Sequence, residues 1–154
     1  EYSREKETLA KQLIKAVQKE YDIKRKEVLS LIRKEIEIPI TIFSKELGAL
    51  EALTKYMKEN LNMNYREIAK ELKRDERTIW TAYKKATEKQ KKPINPKDTK
   101  ITIPISAFEN EALTILESII MYLKEKGLNF KEIADFLERD QRNIWTIYSR
   151  ARKK

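Results

Sequence analysis

A chain of 154 residues with 40% hydrophobic content is long enough for one ordinary domain or two very small ones with real cores. Its 38% charged residues and two glycines favour helices, and a net charge of +9 makes a polyanion the natural partner. With no cysteine and no histidine, disulfides, thiolate chemistry and the commonest general base and metal ligand are excluded; Gly48 and Gly127 are too few for a phosphate-cradling loop, so no enzyme, metal or cofactor is expected. No apolar run approaches the roughly 20 residues that span a bilayer. No secretory signal is visible, so the expected location is cytoplasmic, at the nucleoid. The chain starts at Glu1 and not at Met, as a fragment or trimmed protein would.

In chain order, residues 1–35 read as a helical hairpin. Leu9, Leu13, Ala16 and Val17 recur at helical spacing on one face. Tyr21 and Asp22 interrupt, and Asp22 is placed to cap a second helix carrying Val28, Leu31 and Ile32. Acidic residues offset most of the basic ones here, Lys24-Arg25-Lys26 included. The expected role is packing or dimerisation, not DNA contact.

Residues 36–87 and 101–154 read as two copies of one unit. Each opens with alternating isoleucines: Ile36, Ile38, Ile40 and Ile42, then Ile101, Ile103 and Ile105. Period two predicts a short strand with one buried face, and Pro39 and Pro104 restrict it to an edge or an extended arm. The two arms could pair with each other or with a second molecule. A first helix follows, capped by Gly48 in one copy and by the Thr114–Glu117 capping box in the other, with Leu53, Tyr56 and Met57 matching Ile119, Tyr122 and Leu123 as its core face. Gly127 is placed to end the second copy's helix.

The strongest repeat comes next. Residues 64–86 and 129–151 align at a constant offset of 65, with 13 identities, from Asn64/Asn129 to Ala86/Ala151. Asn64 and Glu67, like Asn129 and Glu132, form the start signal of a second helix whose buried face is Ile68, Ala69 and Leu72, or Ile133, Ala134 and Leu137. After a tight turn, Asp75 or Asp140 caps a third helix with Ile79 and Tyr83, or Ile144 and Tyr148, on its core side. Residues 88–100 hold five lysines and two prolines and read as a solvated basic linker. It is long enough to set two units about one DNA turn, roughly 34–36 Å, apart.

The expected fold is therefore mainly all-α: two three-helix helix-turn-helix bundles, each preceded by a short extended arm, plus the N-terminal hairpin. In a helix-turn-helix a small residue, here Ala69 or Ala134, lets helix two cross close to helix three, whose N-terminal half enters the major groove. The polar positions left over are the candidate base readers: Glu76, Arg77, Thr78, Trp80 and Thr81 in the first copy, Gln141, Arg142, Asn143, Trp145 and Thr146 in the second. Arg reads guanine, and Gln or Asn reads adenine, through paired hydrogen bonds; Glu76 would repel phosphate unless it accepts from a cytosine amino group. Lys73, Arg74, Lys84, Lys85, Arg139, Ser149, Arg150 and Arg152 are the candidate phosphate contacts. From residue 73 to 92 there are eight basic and three acidic residues, and from 139 to 154 six and one, so positive charge gathers around the third helices. The tryptophans have two readings: a contact to thymine methyls or sugar edges, or a lid packed on the first helix or between repeats.

The pattern Leu-x-x-Leu-Glu, then Tyr/Phe-x-Glu-Ile-Ala-x-x-Leu, then Thr/Asn-Ile and the closing Arg-Ala-Arg resembles the helix-turn-helix of sigma-factor region four and of LuxR-type regulators. It covers residues 47–86 and 113–152. Arg-Asp-x-x-x-Ile is also similar to a stretch in the DNA-binding domain of bacterial replication initiators. These resemblances imply major-groove binding through residues 76–84 and 141–149. Trp80 and Trp145 depart from them, standing where those families carry a polar reader, and no polymerase-core-binding region is evident. The expected function is sequence-specific binding of double-stranded DNA by a transcriptional regulator or site-specific DNA adaptor. The competing expectation is a protein-docking or self-assembly module that meets a second copy or the transcription machinery.

Overall fold

The computed structural model describes residues 2–21 and 35–154. The chain divides into two compact units, Glu1–Glu35 and Ile36–Lys154. Seven α-helices and one two-stranded sheet are found among the described residues, so the protein is mainly helical. No helix among them is long and apolar enough to cross a membrane.

In the first unit, helix α1 (Tyr2–Tyr21) is built from strong helix formers without glycine or proline. Ile14 is its buried residue and Val17 is half-buried, whereas Leu9, Leu13 and Ala16, expected on the packed face, are exposed. The expected second helix of this hairpin, with Asp22, Val28, Leu31 and Ile32, lies outside the described residues.

The second unit holds both copies around one shared core. Strands β1 (Glu37–Pro39) and β2 (Thr102–Pro104) pair antiparallel with Ile38 opposite Ile103. The arms thus pair with each other, the question that alternation alone left open. The pairing is self-matched: Ile103 lies 65 residues after Ile38, so each central residue faces its own repeat mate. The flanking bonds are mates as well, Ile40 N–H donating to the Ile101 carbonyl at 3.2 Å and Ile105 N–H to the Ile36 carbonyl at 2.9 Å. Those bonds leave Pro39 and Pro104 in non-hydrogen-bonded positions, where a missing N–H costs nothing.

The strands are shorter than the isoleucine alternation predicts. Beyond each proline the chain tightens into a 3₁₀ helix, Ile40–Ile42 or Ile105–Phe108, that still buries Ile40, Ile42, Ile105 and Phe108. Each 3₁₀ helix packs on the second helix of the other copy as well as on its own copy's first helix, so the arms bridge the two copies.

Each copy then forms three helices: α2 (Ala49–Glu59), α3 (Tyr65–Leu72) and α4 (Glu76–Lys89), repeated as α5 (Ile115–Glu125), α6 (Phe130–Leu137) and α7 (Gln141–Ala151). The caps lie where the sequence places them. Thr114 Oγ1 accepts from Glu117 N–H while the Glu117 carboxylate accepts from Thr114 N–H; Gly48 has no side chain, yet its N–H still donates to the Glu51 carboxylate at 3.2 Å. Asn64 and Asn129 accept from Glu67 and Glu132 N–H at 2.9 and 2.8 Å. Gly127 ends its helix at φ 93°, and its mate Asn62 takes φ 54° without being glycine. The mates Lys73 and Glu138 are left-handed too, at φ 50° and 53°, which sets the tight turn into the third helix.

The segment after α4 is mostly exposed, as its composition suggests, yet it is held to the first copy at a few points. Helix α4 itself runs to Lys89; Ile94 is buried, its carbonyl accepts from Asn60 Nδ2 at 3.1 Å, and the Lys97 carbonyl accepts from Thr41 Oγ1 at 2.8 Å. One apolar residue among lysines and prolines is enough to pin the connection to the first copy.

Candidate nucleic-acid interface

The third helices begin alike. Asp75 Oδ1 accepts from Arg77 N–H at 2.8 Å and Thr78 N–H at 3.4 Å; Asp140 Oδ1 accepts from Arg142 N–H at 2.9 Å and Asn143 N–H at 3.2 Å. Each aspartate satisfies two backbone donors that the first turn leaves open. Downstream, Ile79, Ala82 and Ala86, or Ile144, Ile147 and Ala151, form the buried stripe. Glu76, Arg77 and Thr78, with Gln141, Arg142 and Asn143, are exposed in the first turn. Arg77 and Arg142 make no ion pair among the described residues, so both guanidinium groups are free to meet a ligand.

Trp80 is 48% exposed and Trp145 55%, so neither is a lid on the first helix or a seal between copies. Each follows a buried isoleucine, and a step of one residue turns the side chain about 100° away from the core. Lys84 Nζ lies 5.1 Å from the Trp80 ring. Thr81 and Thr146 donate their hydroxyls to the Arg77 and Arg142 carbonyls one turn back, both at 2.9 Å. That uses the hydroxyl proton and leaves the methyl and the oxygen's acceptor capacity.

The turn residues have a different use from the one their charge suggests. Arg74 Nη2 donates to the Leu113 carbonyl at 2.8 Å, and its Nη1 to the Leu72 carbonyl at 3.0 Å. The first copy's turn is thereby tied to the loop before the second copy's first helix. Lys73 adds an exposed ion pair with Glu109 at 3.6 Å. On the other side Glu138, mate of Lys73, accepts from Lys45 N–H at 3.4 Å. Arg74 is thus a tie between copies and not a free cation, whereas the Arg139 guanidinium makes no hydrogen bond or ion pair among the described residues, its backbone N–H alone donating to the Ala134 carbonyl at 2.9 Å. Lys84, Lys85, Arg150 and Arg152 are exposed and Ser149 half-buried; Arg150 Nε lies 3.4 Å from Glu117, and the Arg152 guanidinium 5.7 Å from the Tyr148 ring.

Behind the third helices sits a brace that charge and periodicity reasoning passes over. Tyr65 and Tyr83 meet edge to face at 5.8 Å, and their mates Phe130 and Tyr148 at 5.3 Å, both at 63°. Lys58, from the first helix, lies 4.4 Å from the Tyr65 ring, and Lys124 4.3 Å from the Phe130 ring. All three helices of a copy are linked there, which fixes how the third is presented. Burial raises the Tyr65 pKa and, with Glu59 beside it, the Tyr83 pKa.

A second brace joins the helix ends. Lys89 meets Glu51 at 2.9 Å, and its mate Lys154 meets Glu117 at 2.9 Å. Burial alone would raise the Glu117 pKa, but the Thr114 N–H, Lys154 and Arg150 outweigh it and hold the carboxyl below the usual range. These contacts span 33 to 38 residues, and only the repeat offset, Glu51 to Glu117 beside Lys89 to Lys154, hints at them in sequence.

The outward face of α4 borders a groove of about 770 Å³ between Arg77, Thr78, Thr81 and Lys85 on one side and the first turns of α2 and α5 on the other. No family model, no curated protein and no solved structure matches the chain.

Proposed function

We propose that the chain binds double-stranded DNA sequence-specifically, each copy acting as a helix-turn-helix unit with α4 and α7 as the reading helices. The observation that carries this reading is the shared outward face: two capped helices expose an unpaired arginine and a tryptophan at the same positions, opposite the same buried stripe. A chain of net charge +9 has no structural need for two such arginines, whereas the first turn of a reading helix is where base edges are met. Arg77 and Arg142 are suited to guanine, Gln141 and Asn143 to adenine, Glu76 to a cytosine amino group, and the methyls of Thr81 and Thr146 to thymine. Trp80 and Trp145 would lie against thymine methyls or sugars. Lys84, Lys85, Arg139, Arg150 and Arg152, with Lys73 and Ser149 at the margin, would hold phosphates; Arg74 leaves that set because its guanidinium is bound to backbone carbonyls. The resemblance to sigma-factor region four and LuxR-type units points the same way, to a transcriptional regulator or DNA adaptor.

The test is Arg77→Ala combined with Arg142→Ala in a competition binding assay. Sequence preference should collapse while salt-sensitive background binding, with its linear fall of log affinity against log salt, persists. Unchanged preference would refute the assignment of the readers. A second reading, self-assembly or protein docking, draws on the 58% and 59% exposure of Leu9 and Leu13 on α1. A salt-insensitive oligomer by light scattering, with no DNA affinity at moderate salt, would favour it.

A further inference from the structure

Resting on that reading, we infer that the target is an imperfect inverted repeat at fixed spacing. Its half-sites are alike where Arg77/Arg142 and Thr81/Thr146 meet bases and unlike where Glu76/Gln141 and Thr78/Asn143 do. A repeated sequence by itself suggests two units in a row, reading a direct repeat through a flexible tether. The contacts within 36–154 are of another kind. An antiparallel pair of equivalent strands with Ile38 opposite Ile103 has a local two-fold axis through that pair. Three further contacts obey the same axis. The bonds Ile40 to Ile101 and Ile105 to Ile36 exchange under it; the two 3₁₀ helices pack reciprocally on α6 and α3; and α2 touches its own mate α5. A contact in which each element meets its own equivalent is the mark of a two-fold dimer, here within one chain.

A two-fold axis that carries α4 onto α7 also reverses the polarity of whatever α4 reads, so the second half-site runs on the opposite strand. The groove beside α4 has the first turns of both α2 and α5 in its far wall, so the reading face borders the axis and does not point away from it. Spacing is fixed because the copies share a core and residues 90–100 are held by Ile94, Asn60 and Thr41. The symmetry is imperfect in the reading residues themselves, since Glu76 and Thr78 face solvent where the second copy has Gln141 and Asn143.

The experiment is selection of duplexes from a random library by the full chain at physiological salt, followed by competition among rearranged versions of the selected site. Expected are two half-sites in inverted orientation. Turning one half-site into a direct repeat, or inserting about half a helical turn between them, should weaken binding on the order of tenfold or more. The double variant E76Q/T78N changes only exposed positions and should shift the preference to a fully symmetric palindrome. A selected direct repeat, a single half-site, or indifference to spacing would overturn the inverted-repeat inference while leaving DNA binding in place. No enrichment of any sequence would overturn the DNA reading and this inference with it.

Discussion

The two copies agree at the crossing of their second and third helices and differ most where they meet each other and in part of the outward face. Ile68, Ala69, Leu72 and Ile79 recur unchanged as Ile133, Ala134, Leu137 and Ile144, all under 10% exposed. A close crossing between the second and third helices leaves no room for variation there, because interiors are packed as tightly as crystals. The turn behind that crossing is another matter. Arg74 grips carbonyls of the opposite loop, while its mate Arg139, with one residue fewer in the loop it faces, has no such partner. One inserted residue between Phe108 and Thr114 is enough to make the copy–copy contact asymmetric. The comparison teaches that identity at buried positions marks the scaffold, that identity on the outward face, as at Arg77/Arg142 and Trp80/Trp145, marks what both copies present alike, and that divergence marks the positions where each copy has its own neighbour or ligand.

The largest expected effect tests whether the copies are one folding unit. Leu72→Ala and Leu137→Ala each empty a fully buried site and should cost roughly 2–5 kcal/mol. With a shared core either change should lower a single calorimetric transition for residues 36–154; two separate transitions, one of them unmoved, would break the picture of a fused dimer. Next comes the asymmetry of the turn. Arg74→Ala should cost about 1–3 kcal/mol by leaving the partly buried Leu72 and Leu113 carbonyls without this donor, whereas Arg139→Ala should stay within about 0.5 kcal/mol. Denaturant midpoints of the two variants read this directly, and equal losses would contradict it. The caps sharpen the symmetric side of the comparison: Asp75→Ala and Asp140→Ala should each cost roughly 1 kcal/mol, and a large inequality would show that the third helices are not held alike.

The smallest effect is a change in the shape of a pH profile. The folded Glu117 carboxyl titrates below its usual range, so its contribution is present above the unfolded value of about 4.3 and is lost as pH falls through the folded one. Glu117→Gln should therefore flatten the acid limb of stability against pH. An unchanged acid limb would place that sensitivity on other carboxylates.

Much of the scaffold was legible in the sequence because local rules fix it. Asp75, Asp140, Thr114 and Asn129 cap the helices where their spacing says, and the periodic isoleucines, alanines and leucines of the second helices are buried as expected, whereas Leu9, Leu13 and Ala16 of α1 are exposed. What escaped depends on distant partners. Alternation at Ile36–Ile42 shows that one face is buried, not against which strand, and the proline that ends each strand converts the rest into a 3₁₀ helix. Arg74 looked like a phosphate ligand because its partners lie 36 and 39 residues away. Ile94 was hidden by the polar residues around it. Of the candidate readers, the first-turn residues and both tryptophans face outward together, while Thr81 is half-buried.

The chain has two tryptophans, Trp80 and Trp145, and both sit on the proposed reading faces. Intrinsic fluorescence is therefore a direct report from the surface on which the account depends. The measurement is tryptophan emission titrated with duplex DNA, at low and at physiological salt. The account expects the emission of solvent-exposed indoles in the free protein and a saturable change on adding duplex, with a midpoint that moves to higher DNA concentration as salt rises. Emission that stays unchanged while the DNA is demonstrably bound would place the interface elsewhere, and the absence of any binding would contradict the DNA reading outright.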